Sequence, residues 1–131
     1  MKIEKDYIKD LLNRVEKTER SVFKISDIAD QQEYLSEKFI QHMRILSEKS
    51  LVVCDAHNSM DIGINRLGNG AAIWGIKWLR LTSEGYDFLE AINNKTVWNK
   101  IKKELKAPSI STLMSTSKFL LQEAIKSQMR Q

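Results

Sequence analysis

The stretch from Leu81 to Gly85 constrains the fold of this chain more than any other short segment. Residues 73–81 form an apolar, β-like run, and Thr82 then offers a hydroxyl that can cap the first turn of a helix. In a helix over residues 83–93, Gly85 falls inside the apolar stripe that faces the core. A glycine in a helix interior costs about 1 kcal/mol relative to alanine, so we expect a neighbouring backbone to lie where a Cβ atom would stand. The stretch therefore predicts a strand that leads directly into a closely packed helix.

Apolar residues at three- and four-residue spacing predict further helices over residues 3–17, 36–49 and 97–105, and from Ser109 onward. Residues 21–25 and 51–54 have β-forming composition, and one turn of helix should follow the first of these runs. Residues 55–70 are rich in Asn, Gly, Asp and Ser, which predicts a long loop with a hairpin tip. This order predicts an α+β fold that is mainly helical and has a small β ribbon.

Composition and length predict one intracellular domain. The chain has 131 residues, of which 42% are hydrophobic, and this is enough for one core. No apolar run approaches the roughly 18 residues of a membrane span, and the first residues do not form a signal peptide. We therefore expect a cytoplasmic protein that does not contact a membrane. The net charge is +4, and residues 99–131 hold seven basic and two acidic groups, so the excess is C-terminal.

The predicted order of elements resembles a winged helix-turn-helix domain, because a helix pair leads into a two-stranded ribbon and then into a strand–Leu-Thr-x-x-Gly–helix step. The resemblance is most specific around residues 80–100. The residues that carry it there are Arg80, Leu81, Thr82, Glu84, Gly85, Phe88, Leu89, Ala91, Ile92, Trp98, Asn99 and Lys100. With Leu11-Leu12 and the helix exit at residues 46–51, this pattern is similar to a small bacterial and phage family, domain of unknown function number twenty-five-thirteen (DUF2513). Tyr86 and Glu90 stand where we would expect histidine and aspartate.

The resemblance implies a winged-helix fold and a phage or mobile-element origin, and it implies no established activity. The winged-helix core would span residues 1–94. Residues 95–131 would form a C-terminal helical extension packed on the same domain.

In a winged helix, the helix over residues 36–49 would enter the DNA major groove, and the loop 57–70 would reach the neighbouring groove or phosphates. The candidate DNA contacts are Lys38, Gln41, Arg44, Lys49 and Arg66. Glutamine and arginine read adenine and guanine edges, whereas the lysines would meet phosphates. An ordinary solvated helix face would have the same composition.

Two features of the same helix favour a different function. Glu37 and Glu48 would repel phosphates and leave a local charge of only about +1. Ile45 projects roughly 160° from the core-facing side, where an apolar side chain requires a cover. The alternative is therefore a winged-helix protein-interaction module, an adaptor or inhibitor of a host complex, which binds no DNA and has Ile45 on its partner surface. A single exposed isoleucine is the plainer explanation.

The sequence predicts no enzyme, cofactor or metal. It has no Ser/His/Asp or Cys/His pairing with supporting spacing, no dinucleotide or Walker loop and no zinc motif. Cys54 and His57 could supply half of a metal site, although a buried cysteine and a loop histidine explain them more simply. The three tryptophans could stack on bases, but they more often anchor a core or an interface.

We therefore favour a nucleic-acid-binding transcriptional regulator of a phage or mobile element, which binds double-stranded DNA. It would contact DNA through helix 36–49, loop 57–70 and the basic C-terminal region. After Pro108, an apolar stripe comprises Leu113, Leu120, Leu121, Ala124 and Ile125. This stripe predicts a homodimer through the C-terminal helix, which would let two reading helices face a two-fold DNA site.

Overall fold

The computed structural model describes residues 2–130 and contains seven helices and four strands within them. The helices are α1 (Lys5–Lys17), α2 (Ile25–Ile28), α3 (Gln31–Tyr34), α4 (Glu37–Glu48), α5 (Ser83–Asn93), α6 (Lys95–Glu104) and α7 (Ile110–Met129). The strands are β1 (Val52–Cys54), β2 (Ile64–Arg66), β3 (Ala72–Trp74) and β4 (Leu79–Leu81). The mixed helical and strand content confirms the α+β class, and the five longer helices lie where apolar periodicity predicts them.

The strands form two separate antiparallel pairs. In the core pair, β1 lies against β4, with Cys54 opposite Leu79. On its other side, Leu79 exchanges two backbone hydrogen bonds with Phe23, each 2.8 Å long. β4 is thus the middle strand of a small core sheet. The second pair, β2 with β3, is a hairpin in which Ile64 lies opposite Trp74.

The prediction of one continuous strand over residues 73–81 is wrong. The structure divides this run into β3 and β4, and it places β2 inside the segment predicted as loop. The run divides because its first part pairs in the hairpin, where the Gly75 N–H extends the β2–β3 ladder and donates to the Gly63 carbonyl at 2.7 Å, whereas its last part pairs with β1. Ile76 follows and is 87% exposed, so an apolar residue here does not mark a buried strand.

The predicted packing role of Gly85 is confirmed. Its N–H donates to the Thr82 hydroxyl at 3.0 Å, which is the expected helix cap. A Cβ atom on Gly85 would stand 2.5 Å from the Leu51 carbonyl oxygen and 2.8 Å from Leu81 Cγ. The backbone that leaves α4 therefore occupies the space that a side chain would need.

One hydrophobic core joins all the long helices to the core sheet. It contains Ile8, Leu11 and Leu12 of α1, Phe39 and Met43 of α4, Phe88 and Leu89 of α5, Val97 and Ile101 of α6, and Ile110 and Leu113 of α7. The buried residues of α7 lie in its first two turns and are Ile110, Leu113 and Ser117. Every helix in the described part of the chain is too short or too polar to cross a membrane.

Candidate nucleic-acid interface

α4 exposes one strip of side chains to solvent, and Lys38 is exposed beside it. Ser36 caps the helix, because its hydroxyl accepts a hydrogen bond from the Phe39 N–H at 3.2 Å. From this start, Glu37, Gln41, Arg44 and Glu48 follow at three- and four-residue spacing along one side. Gln41 and Arg44 are half-buried, and the two glutamates are exposed. The strip brings two of the predicted base-reading side chains together, but its net charge is −1.

The predicted exposure of Ile45 is wrong. Ile45 retains only 9% of its accessible surface and belongs to the main hydrophobic core. His42 and Ser47 of the same helix are buried as well, at 0% and 2% exposure. A helical projection with one covered face places Ile45 in solvent. In the structure, other elements pack on most of the circumference of α4. Ile45 therefore offers no accessible partner surface.

His42 joins α4 to the start of α1. Its Nε2 accepts a hydrogen bond from the backbone N–H of Glu4 at 2.9 Å, and its Nδ1 lies 2.7 Å from the Lys38 carbonyl oxygen. These two partners require a neutral ring with the proton on Nδ1. The Tyr7 ring packs edge-on against the imidazole at 5.0 Å between centroids. His42 is thus a structural residue and is not available to a ligand.

A polar cluster fixes α3 on α1 immediately before α4 begins. Glu33 accepts from the Tyr7 hydroxyl at 2.5 Å and from Arg14 at 2.8 Å and 2.9 Å. Arg14 also pairs with Asp10 at 2.8 Å. Burial alone would raise the pKa of Glu33, but the hydrogen bonds from Arg14 and Tyr7 outweigh it and hold that pKa below its ordinary value. Burial, and then the bond to Glu33, raise the pKa of Tyr7.

Arg66, a predicted DNA contact on the hairpin, is paired with a carboxylate of α4. Its guanidinium donates to both Glu37 carboxylate oxygens, at 2.8 Å and 2.6 Å, and to the Gly70 carbonyl at 3.0 Å. The bond to Arg66 lowers the pKa of Glu37, and the same bond raises the pKa of Arg66. Arg66 therefore anchors the hairpin to α4, and a phosphate would have to compete with Glu37 for it.

The two predicted phosphate-binding lysines lie apart from each other. The Lys38 ammonium is 3.2 Å from the Glu4 carboxylate and 4.6 Å from the centroid of the Tyr7 ring. Lys49 instead lines an open groove between α5 and α7, together with Glu84 and Asp87. The structure therefore brings Gln41, Arg44 and Arg66 to one region, but it does not add Lys49 to that group.

The three tryptophans have different environments. The Trp74 indole N–H donates to the Tyr34 carbonyl at 2.6 Å, and its ring packs edge-on against Phe39. Trp98 is buried under the Lys9 ammonium. Trp78 is 46% exposed, although Lys24 lies 5.3 Å from its ring centroid. Two of the indoles are therefore anchors, and Trp78 alone of the three could stack on a ligand.

Sequence reasoning missed an exposed apolar group on the hairpin and the segment after it. Leu67 and Ile73 are each about half exposed, at 49% and 48%, and Ile76 is more exposed still. These residues read as parts of a loop and a buried strand in the sequence. Residues 67 and 73 are exposed on a strand pair that is separate from the core sheet, and no local pattern indicates that separation.

Together, α4 and its anchored hairpin define an α+β protein with a surface built from one helix and one β hairpin. The chain belongs to the family described as Hypothetical protein (DUF2513), whose model matches residues 2–111. This match confirms the resemblance read from residues 80–100, and it leaves nearly all of α7 outside the matched range. No curated protein and no solved structure matches the chain significantly.

Proposed function

We propose that this protein is a winged-helix nucleic-acid-binding protein, a transcriptional regulator of a phage or mobile element that acts on double-stranded DNA in the cytoplasm. The order of elements supports this proposal. The chain runs from α1 through an extended Phe23, the short helices α2 and α3, then α4, β1, the hairpin and β4. In this interpretation α4 is the recognition helix and the β2–β3 hairpin is the wing.

The observation that carries the proposal is the position of Gln41 and Arg44 on the open strip of α4, beside a hairpin anchored to that helix. Both are long side chains with the donor geometry that reads purine edges. Arg44 has no ion-pair partner among residues 2–130, unlike Arg66 and Lys38. It is therefore the cation of this strip that a guanine could engage without breaking an existing pair.

The test is duplex binding by the native chain and by Arg44→Ala, over fragments that flank its own gene. Loss of a bidentate base contact costs about 1–3 kcal/mol, so Arg44→Ala should weaken selective binding by roughly 5- to 150-fold. Arg20→Ala is the matched control, because Arg20 is an exposed arginine on the connection between α1 and α2. Unchanged affinity and selectivity in Arg44→Ala would remove α4 as the reading element.

A protein-interaction module remains the second candidate, and a different surface now favours it. Ile45 is buried, but Leu67, Ile73, Ile76 and Trp78 leave apolar area exposed on the wing and the following segment. A partner of this surface would bind with little dependence on salt, because apolar contacts release few counterions. No duplex binding by the native chain at low salt, together with a salt-insensitive partner complex lost in Ile76→Asp, would select this function.

We also propose that two copies associate through α7. Its last three turns expose Phe119, Ile125 and Met129, at 59%, 44% and 81% of their surface. Beside them, an open groove of about 710 Å³ lies between α5 and α7, with Phe88, Met114 and Leu121 among its apolar lining. A second α7 would cover both surfaces, and a two-fold dimer would present two recognition helices.

A further inference from the structure

The N-terminal half of α1 meets α6 at Trp98 and meets the segment after α6 at Lys106. The Lys9 ammonium lies 4.6 Å from the centroid of the Trp98 ring. The Lys5 ammonium donates to the Lys106 carbonyl oxygen at 3.1 Å. The α1–α6 lysine cluster consists of Lys5, Lys9, Lys102, Lys103 and Lys106.

Helix geometry explains why the cluster faces solvent. Val97, Trp98 and Ile101 form the buried side of α6. Lys102 lies next to Trp98 at the edge of this side, and Lys103 lies nearly opposite the buried side. Both of these lysines are exposed, and so is Lys106 beyond the helix end. Three exposed lysines thus follow one another over about one turn at the end of α6, and the backbone of the last one, Lys106, accepts the hydrogen bond from Lys5.

The cations of this cluster are free of carboxylate partners throughout residues 2–130. Not one of the five lysines takes part in the ion pairs of that range. The same pairs do include Lys38 and Arg66, two of the cations predicted to contact phosphates from α4 and the hairpin. A polyanion would meet the cluster without first displacing a protein carboxylate.

Net charge favours the same surface. The segments 5–9 and 102–106 contain five lysines and two carboxylates, which gives a net charge of +3. One of the carboxylates, Glu104, lies about 200° around α6 from Lys102 and about 100° from Lys103. The segment 37–49, which contains α4, has three cations and two carboxylates, a net charge of +1. The stronger field therefore lies over α1 and α6.

We propose that the α1–α6 lysine cluster supplies the main phosphate contacts of this protein with duplex nucleic acid, in place of Lys38, Lys49 and Arg66. This inference rests on the proposed nucleic-acid binding. It assigns the phosphate contacts, which do not depend on base sequence, to a different surface. Base reading by the strip of α4 is a separate contribution. Lysines suit the proposed role because each is a flexible point charge that can follow a phosphate backbone without fixed geometry.

The test measures the affinity of the full chain for a 20-base-pair duplex of mixed sequence, at about 25–200 mM salt. A triple variant, Lys102→Gln/Lys103→Gln/Lys106→Gln, removes three cations of the cluster. Its matched control, Lys2→Gln/Lys17→Gln/Lys95→Gln, removes three exposed lysines elsewhere. A third variant, Lys38→Gln/Lys49→Gln/Arg66→Gln, removes the cations predicted from the sequence. Thermal unfolding of each variant shows that it is folded.

Each neutralised phosphate contributes about −0.9 to the slope of log affinity against log salt. The cluster variant should therefore reduce the magnitude of the slope by about 2.7, while the control and the third variant keep most of the native slope. A reduced salt slope in the third variant alone would overturn the inference and leave the proposed function intact. No duplex binding by the native chain at the lowest salt would overturn both. Polyglutamate of matched charge should compete less well than unlabelled duplex. If it competes equally well, the inference is overturned, because the cluster would then attract any polyanion.

Discussion

Arg66 and Glu37 join the hairpin to the first turn of α4 through two hydrogen bonds, although they are far apart in sequence. Both residues are exposed, and surface ion pairs contribute little to overall stability. Their importance is positional, because the pair fixes the angle at which the hairpin tip stands beside the open strip of α4.

Breaking this pair should loosen the hairpin and leave the core unchanged. In Glu37→Gln we expect faster amide hydrogen exchange at Leu67 and Gly75, whose N–H groups bond within the hairpin region. Amides of β1 and β4 should keep their native rates. Glu48→Gln is the control, since it removes the same charge from the same helix. Equal protection of the hairpin amides in both variants would show that the pair has no positioning role.

Gly85→Ala should destabilise the protein, although alanine is the better helix former. Helix propensity alone would stabilise this variant by about 1 kcal/mol. The added Cβ would instead meet the Leu51 carbonyl at 2.5 Å, and overpacking against a backbone atom costs roughly 1–3 kcal/mol. Urea denaturation would measure the change, and Gly85→Leu should be worse.

Gly68→Ala is the control for this prediction, because nothing lies within 4 Å of the position that its Cβ would occupy. This variant should change the urea midpoint little. A higher midpoint for Gly85→Ala than for the native chain would contradict the packing assignment.

Acid should weaken the protein partly through Glu33. Its folded-state pKa lies below the ordinary value of 4.5, so the ionised carboxylate adds stability above that pH. The contribution is lost as the pH falls through the folded-state pKa. Glu33→Gln should therefore be less stable than the native chain at pH 7 and should lose less stability between about pH 5 and pH 2.

Urea midpoints across this range measure both effects, and Glu48→Gln serves as the solvated control. Glu37 and Asp61 also have lowered pKa values, because Arg66 and Lys77 donate to them, so some acid sensitivity should persist in Glu33→Gln. Identical pH profiles for native protein and Glu33→Gln would show that the Tyr7–Glu33–Arg14 cluster contributes nothing.

The native chain should sediment as a dimer at micromolar concentration. Phe119→Asp/Ile125→Asp should yield a monomer, because two carboxylates would be forced into an apolar interface. Both side chains are exposed in the single chain, so the variant should stay folded as a monomer and show cooperative thermal unfolding. Ser127→Asp adds a charge at an exposed polar position of α7 and should remain dimeric. A monomeric native protein would assign the apolar residues of α7 to another partner.

Local chemistry predicted the elements whose signals lie within a few residues of one another. Thr82, Ser36 and Ser109 each cap the helix that follows them, as their sequence context indicates. Gly85 was predictable because a mid-stripe glycine has few explanations other than close approach. The family resemblance depended on the same short region.

Features that depend on distant residues were not predictable. Ile45 and His42 are buried by residues far from α4 in sequence. Glu4 is one of them, because its backbone N–H donates to His42. The pairing of Arg66 with Glu37 likewise has no local signal, so a predicted phosphate contact is instead an anchor of the hairpin. Periodicity reports one covered face of a helix, and it does not report how many neighbours the helix has.

The central place of β4 has a consequence for how the chain acquires its structure during synthesis. Leu79 bonds Phe23 on one side and faces Cys54 across the β1–β4 pair on the other, so neither can enter the core sheet without it. A ribosome releases Phe23 and β1 well before β4. The nascent chain must therefore hold both segments in unpaired form until residues 79–81 emerge, and closing such distant contacts is the slow step expected of folding. Helices α1 and α4 can form early as the chain emerges, but the sheet that organises them is completed only once residues 79–81 have been made.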